Sequence, residues 1–218
     1  MFNISSFQIS NAPRSVELTN TISSSISAGG IQAASIKLST AGLTQAGVIT
    51  ATSLDVTNSA GTVVLDQSNT LANVEIDNTG RDIALTNSAT TNISAGGIQG
   101  DIVMLNTAGL TQAGVITATS LDVTNSASTV ALTNNANSLA NVEIDNTGRN
   151  VSLTNSAAMN ISAGGIQGDS VVLNTAGLTQ TGAITATSLD VTNSAGSVVL
   201  TNAANSLADV EIDNTGNS

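Results

Sequence analysis

The heptapeptide ISAGGIQ at residues 26–32 returns unchanged at residues 93–99 and 161–167. Two other segments recur with the same spacing: ITATSLDVTNSA, first seen from Ile49, and VEIDNTG, first seen from Val74. The chain therefore contains a unit of about 68 residues three times. Self-similarity at a fixed period is the signature of a repeat architecture, in which each unit completes its core against its neighbours.

The repeat predicts one continuous domain rather than several. The segment from Ile9 aligns with the segment from Ile76, so the N-terminal residues are part of the array, and they begin at the repeat phase at which the chain ends, around Ile212. The single domain of 1–218 divides into a partial unit, 1–25, and three units, 26–92, 93–160 and 161–218.

Composition excludes several kinds of function. The 218 residues include no Cys, His, Trp or Tyr, and the only aromatic residues are Phe2 and Phe7. Without Cys there can be no disulfide, thiolate metal site or cysteine nucleophile. The formal net charge of −11 argues against nucleic acid and anionic membrane surfaces as partners. No segment has the length and apolar character of a membrane span, and the N-terminus lacks the pattern of a secretory signal peptide.

Short alternating segments predict the fold class. Leu54-Asp55-Val56-Thr57-Asn58 and Ile83-Ala84-Leu85-Thr86-Asn87 are typical, with apolar residues at every second position and Asn at the end. This period of two, bounded by Asn, Gly and Ser, indicates strands with one buried face. Gly and Asn recur too often for helices of useful length. We therefore expect an all-β protein, a right-handed parallel β-helix or β-solenoid in which strands stack on strands about 4.8 Å apart.

The spacing of apolar anchors predicts the length of one coil. Steps of about 18–21 residues connect the members of two series, and a third series interleaves with them. The series are Leu65, Leu85, Leu105, Val123, Ile144; Leu132, Leu153, Leu173, Val191, Ile212; and Val56, Ile76, Ala95, Val115, Leu132. Coils of about 19–20 residues give about eleven coils in the chain and about three and a half coils per unit. A coil of about 22–23 residues would give three per unit. That longer coil stacks Asn78 on Val56, so we prefer the shorter one.

One stretch carries a resemblance to a known family. The sequence LTQTGAITATSLDVTNSAGSVVLTNAANSL, from Leu178, resembles the repeats of filamentous-haemagglutinin-like exoproteins, which are large bacterial surface or secreted proteins. The resemblance covers nearly the whole chain. It implies a right-handed parallel β-helix that serves as an adhesive stalk, and a location outside the cell or on its surface.

Candidate sites for chemistry are few, and we expect no catalytic set, cofactor or metal site. Glu75 and Asp77 recur in each unit, but they alternate with apolar residues and are best interpreted as a solvated outer face. Calcium binding by these acids is an alternative, as is ice binding by the Thr50-Ala51-Thr52 motif. Ice binding would require such a motif in every coil, and it falls in about one coil in three.

The two ends are the candidate functional surface. A solenoid exposes unpaired strand edges at its ends unless they are capped. We predict an end-to-end interface that includes Phe2 and Phe7 at one end and Val210 and Ile212 at the other; the alternative role of the two phenylalanines is a modest N-terminal cap. The chain is then a non-catalytic rod, either an adhesin-type stalk module or a fibre subunit that stacks head to tail, and its partner is itself or the rest of a larger exoprotein.

Overall fold

The computed structural model describes residues 3–10 and 13–215. Its 20 strands form one continuous sheet, and every strand pair is parallel. No helix occurs among the described residues. The chain winds through about ten turns of a β-solenoid, so the predicted all-β parallel solenoid is confirmed, at close to the expected number of coils.

The strands are short in most turns, and the longest has 15 residues. In chain order they are β1 Ser6–Ser10, β2 Ser15–Thr19, β3 Ser24–Gln32, β4 Ser35–Thr40, β5 Leu43–Gln45, β6 Ile49–Asn58, β7 Val63–Asp77, β8 Ile83–Asn87, β9 Thr90–Gln99, β10 Ile102–Thr107, β11 Gly109–Gln112, β12 Ile116–Asn125, β13 Val130–Leu132, β14 Ser138–Asp145, β15 Val151–Thr154, β16 Met159–Gln167, β17 Ser170–Thr175, β18 Leu178–Gln180, β19 Ile184–Asn193 and β20 Ser206–Asp213.

Stacked strands follow the predicted coil length. Leu65 lies beside Leu85, Leu85 beside Leu105, and the column continues through Val123 to Ile144. The second predicted series, from Leu132 to Ile212, is stacked in the same way. Like side chains therefore meet along the interior, which is a narrow column of Ile, Val and Leu closed to solvent. The shorter of the two predicted coils is confirmed, and the longer coil is wrong.

The third predicted series is wrong beyond Ile76, and its last member, Leu132, lies between β11 and β15 instead. Ile76 is stacked on Ile98 and Ile98 on Ile116, whereas Ala95 and Val115 are not core residues. The strand register shifts between Val74 and Ile76 because β9 makes a bend at its two glycines. Additional residues in that bend project outward, so spacing counted along the chain misplaces the anchor.

The unit of about three and a half coils has a clear structural consequence. One column of strands contains β2, β4, β6, the second half of β7, β9, β11, β13, β15, β17, β19 and β20. The other contains β1, β3, β5, the first half of β7, β8, β10, β12, β14, β16 and β18. The identical strands β6, β12 and β19 thus alternate between columns over most of their length, although the first two residues of each pair with a strand of the other column. The end strands β1 and β20 lie in different columns.

Buried asparagines form the corners of the coils. Of the 16 buried polar residues within the described ranges, ten are Asn. Asn58 donates to Asn78 Oδ1 at 2.6 Å in the next coil, and Asn125 donates to its equivalent in the same way. Gln45 and Asn69 exchange two side-chain hydrogen bonds of 2.9 Å. Because buried amide groups cost free energy unless they are paired, these contacts fix where each coil turns.

Candidate functional site at the ends of the rod

The C-terminal end exposes residues that are buried elsewhere in the rod. Val210 is 52% exposed and Ile212 is 45% exposed, whereas the equivalent Val142 and Ile144 are at most 1% exposed. The difference arises because, among the described strands, β20 pairs with β19 alone, while β14 has β12 on one side and β16 on the other. Two of the predicted interface residues therefore form an exposed apolar edge.

The N-terminal end is better covered. Phe7 is half-buried and packs against the interior together with Ile9. Within residues 3–10 and 13–215, strand β1 pairs with β3 alone, so it is the edge strand of its column. Phe7 therefore lies at the opposite end of the rod from Val210 and Ile212, as the end-to-end hypothesis requires. Phe2, the fourth predicted interface residue, lies outside the described residues.

Sequence reasoning missed further residues at both ends. Val198, Leu200 and Leu207 are half-buried at the C-terminal end and pack against the core cluster. Ile4 at the N-terminal end is held by Asn20, which accepts a hydrogen bond from the Ile4 N–H and donates one of 2.7 Å to its carbonyl. The repeat alignment contains a signal for Ile4, because this residue occupies the position of the buried Leu71 in the next unit.

The recurrent acids act on the backbone of the solenoid. Glu75 accepts a hydrogen bond of 3.2 Å from the N–H of Gly96, at the glycine bend of the next coil. Asp77 accepts from both the N–H and the hydroxyl of Thr79, which closes the following turn. Both acids therefore have structural partners. Among the described residues no group of three or more acids is placed to hold a metal ion.

The Thr-x-Thr motif lines a shallow groove and not a flat threonine array. A groove of about 450 Å³ runs past Thr50, Ala51 and Thr52, and an equivalent groove of about 410 Å³ runs past the copy at 117–119. Along the axis Thr50 has Gln32 on one side and Thr70 on the other. The residues that line the two grooves offer hydroxyls and alanine methyl groups and include no pair of carboxylates.

The fold and the rod ends thus define the class of protein, which is a parallel β-solenoid built from internal repeats. A family model described as repeats of unknown function (DUF5649) matches residues 148–217, about a third of the chain. No curated protein and no solved structure matches the chain. Within residues 3–10 and 13–215, no helix combines the length and the hydropathy needed to cross a bilayer.

Proposed function

We propose that the chain is a non-catalytic structural rod, located outside the cell or on its surface, whose ends are covered by further solenoid coils. Those coils belong to a second copy in a head-to-tail fibre or to the remainder of a longer adhesin-type stalk. The resemblance to filamentous-haemagglutinin-like exoproteins supports this location and role, and the match to a family of repeats supports the modular character.

One observation carries the proposal. Val210 and Ile212 are about half exposed at an unpaired strand edge, whereas the same residues of the preceding units are fully buried under the next coil. An unpaired edge with apolar residues is a template for another strand. A coil stacked there would pair the backbone of β20 and bury both side chains. An interface that does not close on itself then yields an open fibre.

Negative-stain microscopy of the purified chain at increasing concentration tests the fibre form. We expect filaments one solenoid wide that lengthen with concentration. The matched control is the variant with Val210→Asp and Ile212→Asp, which leaves the interior coils intact and places charge on the edge. Uniform single rods of the unaltered chain at the highest concentration would contradict the fibre and leave the stalk as the surviving form.

A further inference from the structure

Strand β1 at the N-terminal end and strand β20 at the C-terminal end are copies of the same repeat strand, and β1 occupies the place of that strand on β3. Phe7 and Ile9 of β1 lie beside Ile26 and Ile31 of β3. In the interior, the equivalent apolar pair of β14 lies on β16 with the same register shift between its two members. Strand β20 is the next copy of β14 in sequence. It therefore has the right pattern to lie on a β3 strand.

Side-chain hydrogen bonds repeat the same equivalence. Asn155 accepts a hydrogen bond from the N–H of Leu139 and donates one of 2.9 Å to the Leu139 carbonyl. Asn20 makes this pair of bonds with Ile4. The corresponding residue of the C-terminal segment is Leu207, which is half-buried and has no such asparagine above it within the described residues. The N-terminal segment thus occupies a site beside β3 and Asn20, and the C-terminal segment also has the sequence pattern to fit this site.

The C-terminal segment has the better polar group for that site. In the interior, Glu143 accepts a hydrogen bond of 3.0 Å from the N–H of Gly164 in the glycine bend. At the N-terminal end Gln8 lies against the equivalent Gly29. The matching residue of β20 is Glu211, and a carboxylate accepts a backbone N–H more strongly than a neutral amide does.

A second contact would form at the same junction. In the interior, the apolar residues of β13 are stacked against Val151 and Leu153 of β15. The apolar residues of β13 correspond to Val198 and Leu200 at the C-terminal end. The apolar residues of β15 correspond to Val16 and Leu18 at the N-terminal end. Stacking these pairs would bury apolar area that is now partly exposed.

We propose that copies of this chain join by strand exchange, in which β20 of one copy displaces β1 of the next. The inference rests on the proposed head-to-tail function and specifies its junction. Because β1 and β20 lie in opposite columns, the incoming copy is turned by half a turn about the rod axis. Every strand contact across the junction then repeats a contact already present inside the rod, and β2 of the incoming copy covers Val198 and Leu200.

Simple stacking without exchange has an electrostatic disadvantage. Without the half turn, β2 would lie on β20, since both belong to the same column, and Glu17 would meet Glu211. Glu211 already lies beside Asp190. Like charges directly opposite on neighbouring strands are destabilising. The exchanged junction instead places Glu211 at the amide of Gly29.

A cysteine pair reports the exchanged junction in the full chain, which has no native Cys. In that junction Asp209 takes the place of Ser6 beside Ser25, as Asn141 lies beside Asn160 in the interior. The variant Ser25→Cys with Asp209→Cys is therefore expected to give covalent multimers with a short thiol cross-linker.

A second cysteine pair reports the unrotated junction. Val198 lies beside Leu178, so the next outward-facing residue of that column is Val199. Without rotation, β1 of the incoming copy continues this column and Ser6 meets Val199. The variant Ser6→Cys with Val199→Cys should therefore remain monomeric if strands are exchanged. Multimers through residues 6 and 199 alone would overturn strand exchange while retaining the fibre.

The rate of assembly of variants in which the packing of β1 is weakened tests the same inference. The full chain with Phe7→Asp and Ile9→Asp should assemble severalfold faster, because β1 then leaves its place beside β3 more readily. Ser6→Asp with Ser10→Asp adds the same charge to the exposed face of β1 and is the matched control, which should assemble at the unaltered rate. Circular dichroism melting verifies that each variant is folded.

The rate experiment also separates the two proposals. Loss of assembly on weakening of β1, while the unaltered chain still assembles, would overturn strand exchange and retain the fibre, since it would show that β1 itself is part of the junction. Failure of the unaltered chain and of every variant to assemble would overturn the head-to-tail proposal.

Discussion

Asp122 lies directly beside Glu143 on the neighbouring strands β12 and β14, so that two carboxylates share one register position. The equivalent pair in the first unit is Asp55 and Glu75, where Lys37 forms an ion pair of 3.0 Å with Asp55. The repeat thus places the same two acids together in different units, and only the first of these two pairs has a cation beside it among the described residues.

Burial, and to a lesser degree the charge of Glu143, raises the pKa of Asp122 above its ordinary value. A carboxyl whose pKa is higher in the folded state destabilises the fold when it is ionised. The cost is present at neutral pH and disappears as the pH falls below the ordinary carboxyl pKa. Asp122→Asn should therefore raise the thermal midpoint at pH 7 and have little effect near pH 3. Because the group is partly solvated, the gain should be less than about 1 kcal/mol.

Asp55→Asn is the matched control for this change. It removes the partner of Lys37 from the equivalent position in the first unit, so it should give no gain at pH 7. A stabilisation of equal size in both variants would contradict the assignment, because it would show that the effect does not depend on the uncompensated acid pair.

The glycine bend of β9 provides a second prediction. Gly97 has a φ of 82°, and a Cβ there would overlap the backbone carbonyl oxygen of Val115. Gly80 has a similar φ of 73°, but no atom of the described residues lies within 4 Å of such a Cβ. Gly80→Ala should cost about 1–2 kcal/mol from the left-handed conformation alone. Gly97→Ala should cost clearly more, and equal shifts of the thermal midpoint would show that the bend relaxes around the methyl group.

The main columns of the core were predictable from sequence because their spacing is regular. The steps from Leu65 to Ile144 follow a coil whose apolar residues recur at nearly constant intervals, and the structure stacks them as expected. The error at Ala95 and Val115 has a local cause. A glycine bend changes the number of residues per coil without a change in the hydrophobic pattern that spacing could reveal.

The candidate site was predictable only in part. Val210 and Ile212 could be identified because they repeat the apolar positions of Val142 and Ile144 in the last coil that the structure describes. The roles of Ile4 and Asn20 depend on amide hydrogen bonds between residues 16 positions apart. Amide partners are set by side-chain geometry, so composition and period do not reveal them.

The corner asparagines provide a third prediction. Asn87 accepts from the N–H of Leu71 and donates to its carbonyl, and it also donates to Thr91. Asn87→Ala would leave both backbone groups of Leu71 without this partner in a buried corner. We expect a loss of about 2–4 kcal/mol in the free energy of unfolding. The exposed Asn106→Ala, on the outer face of β10, should change it by less than about 0.5 kcal/mol. Similar losses in urea titrations of the two variants would contradict a structural role for the corner amide.

The last prediction compares one residue in two environments. Ile144 and Ile212 occupy the same repeat position, but Ile144 is 1% exposed and Ile212 is 45% exposed. Ile144→Ala should reduce stability by about 2–5 kcal/mol, as is usual for a buried aliphatic side chain, and Ile212→Ala by less than half as much. Below the concentration at which copies associate, thermal melting should show this difference. Under conditions that favour assembly the two effects should converge, because a second copy would cover Ile212 and make its truncation costly. A difference that is independent of concentration would show that Ile212 is never covered.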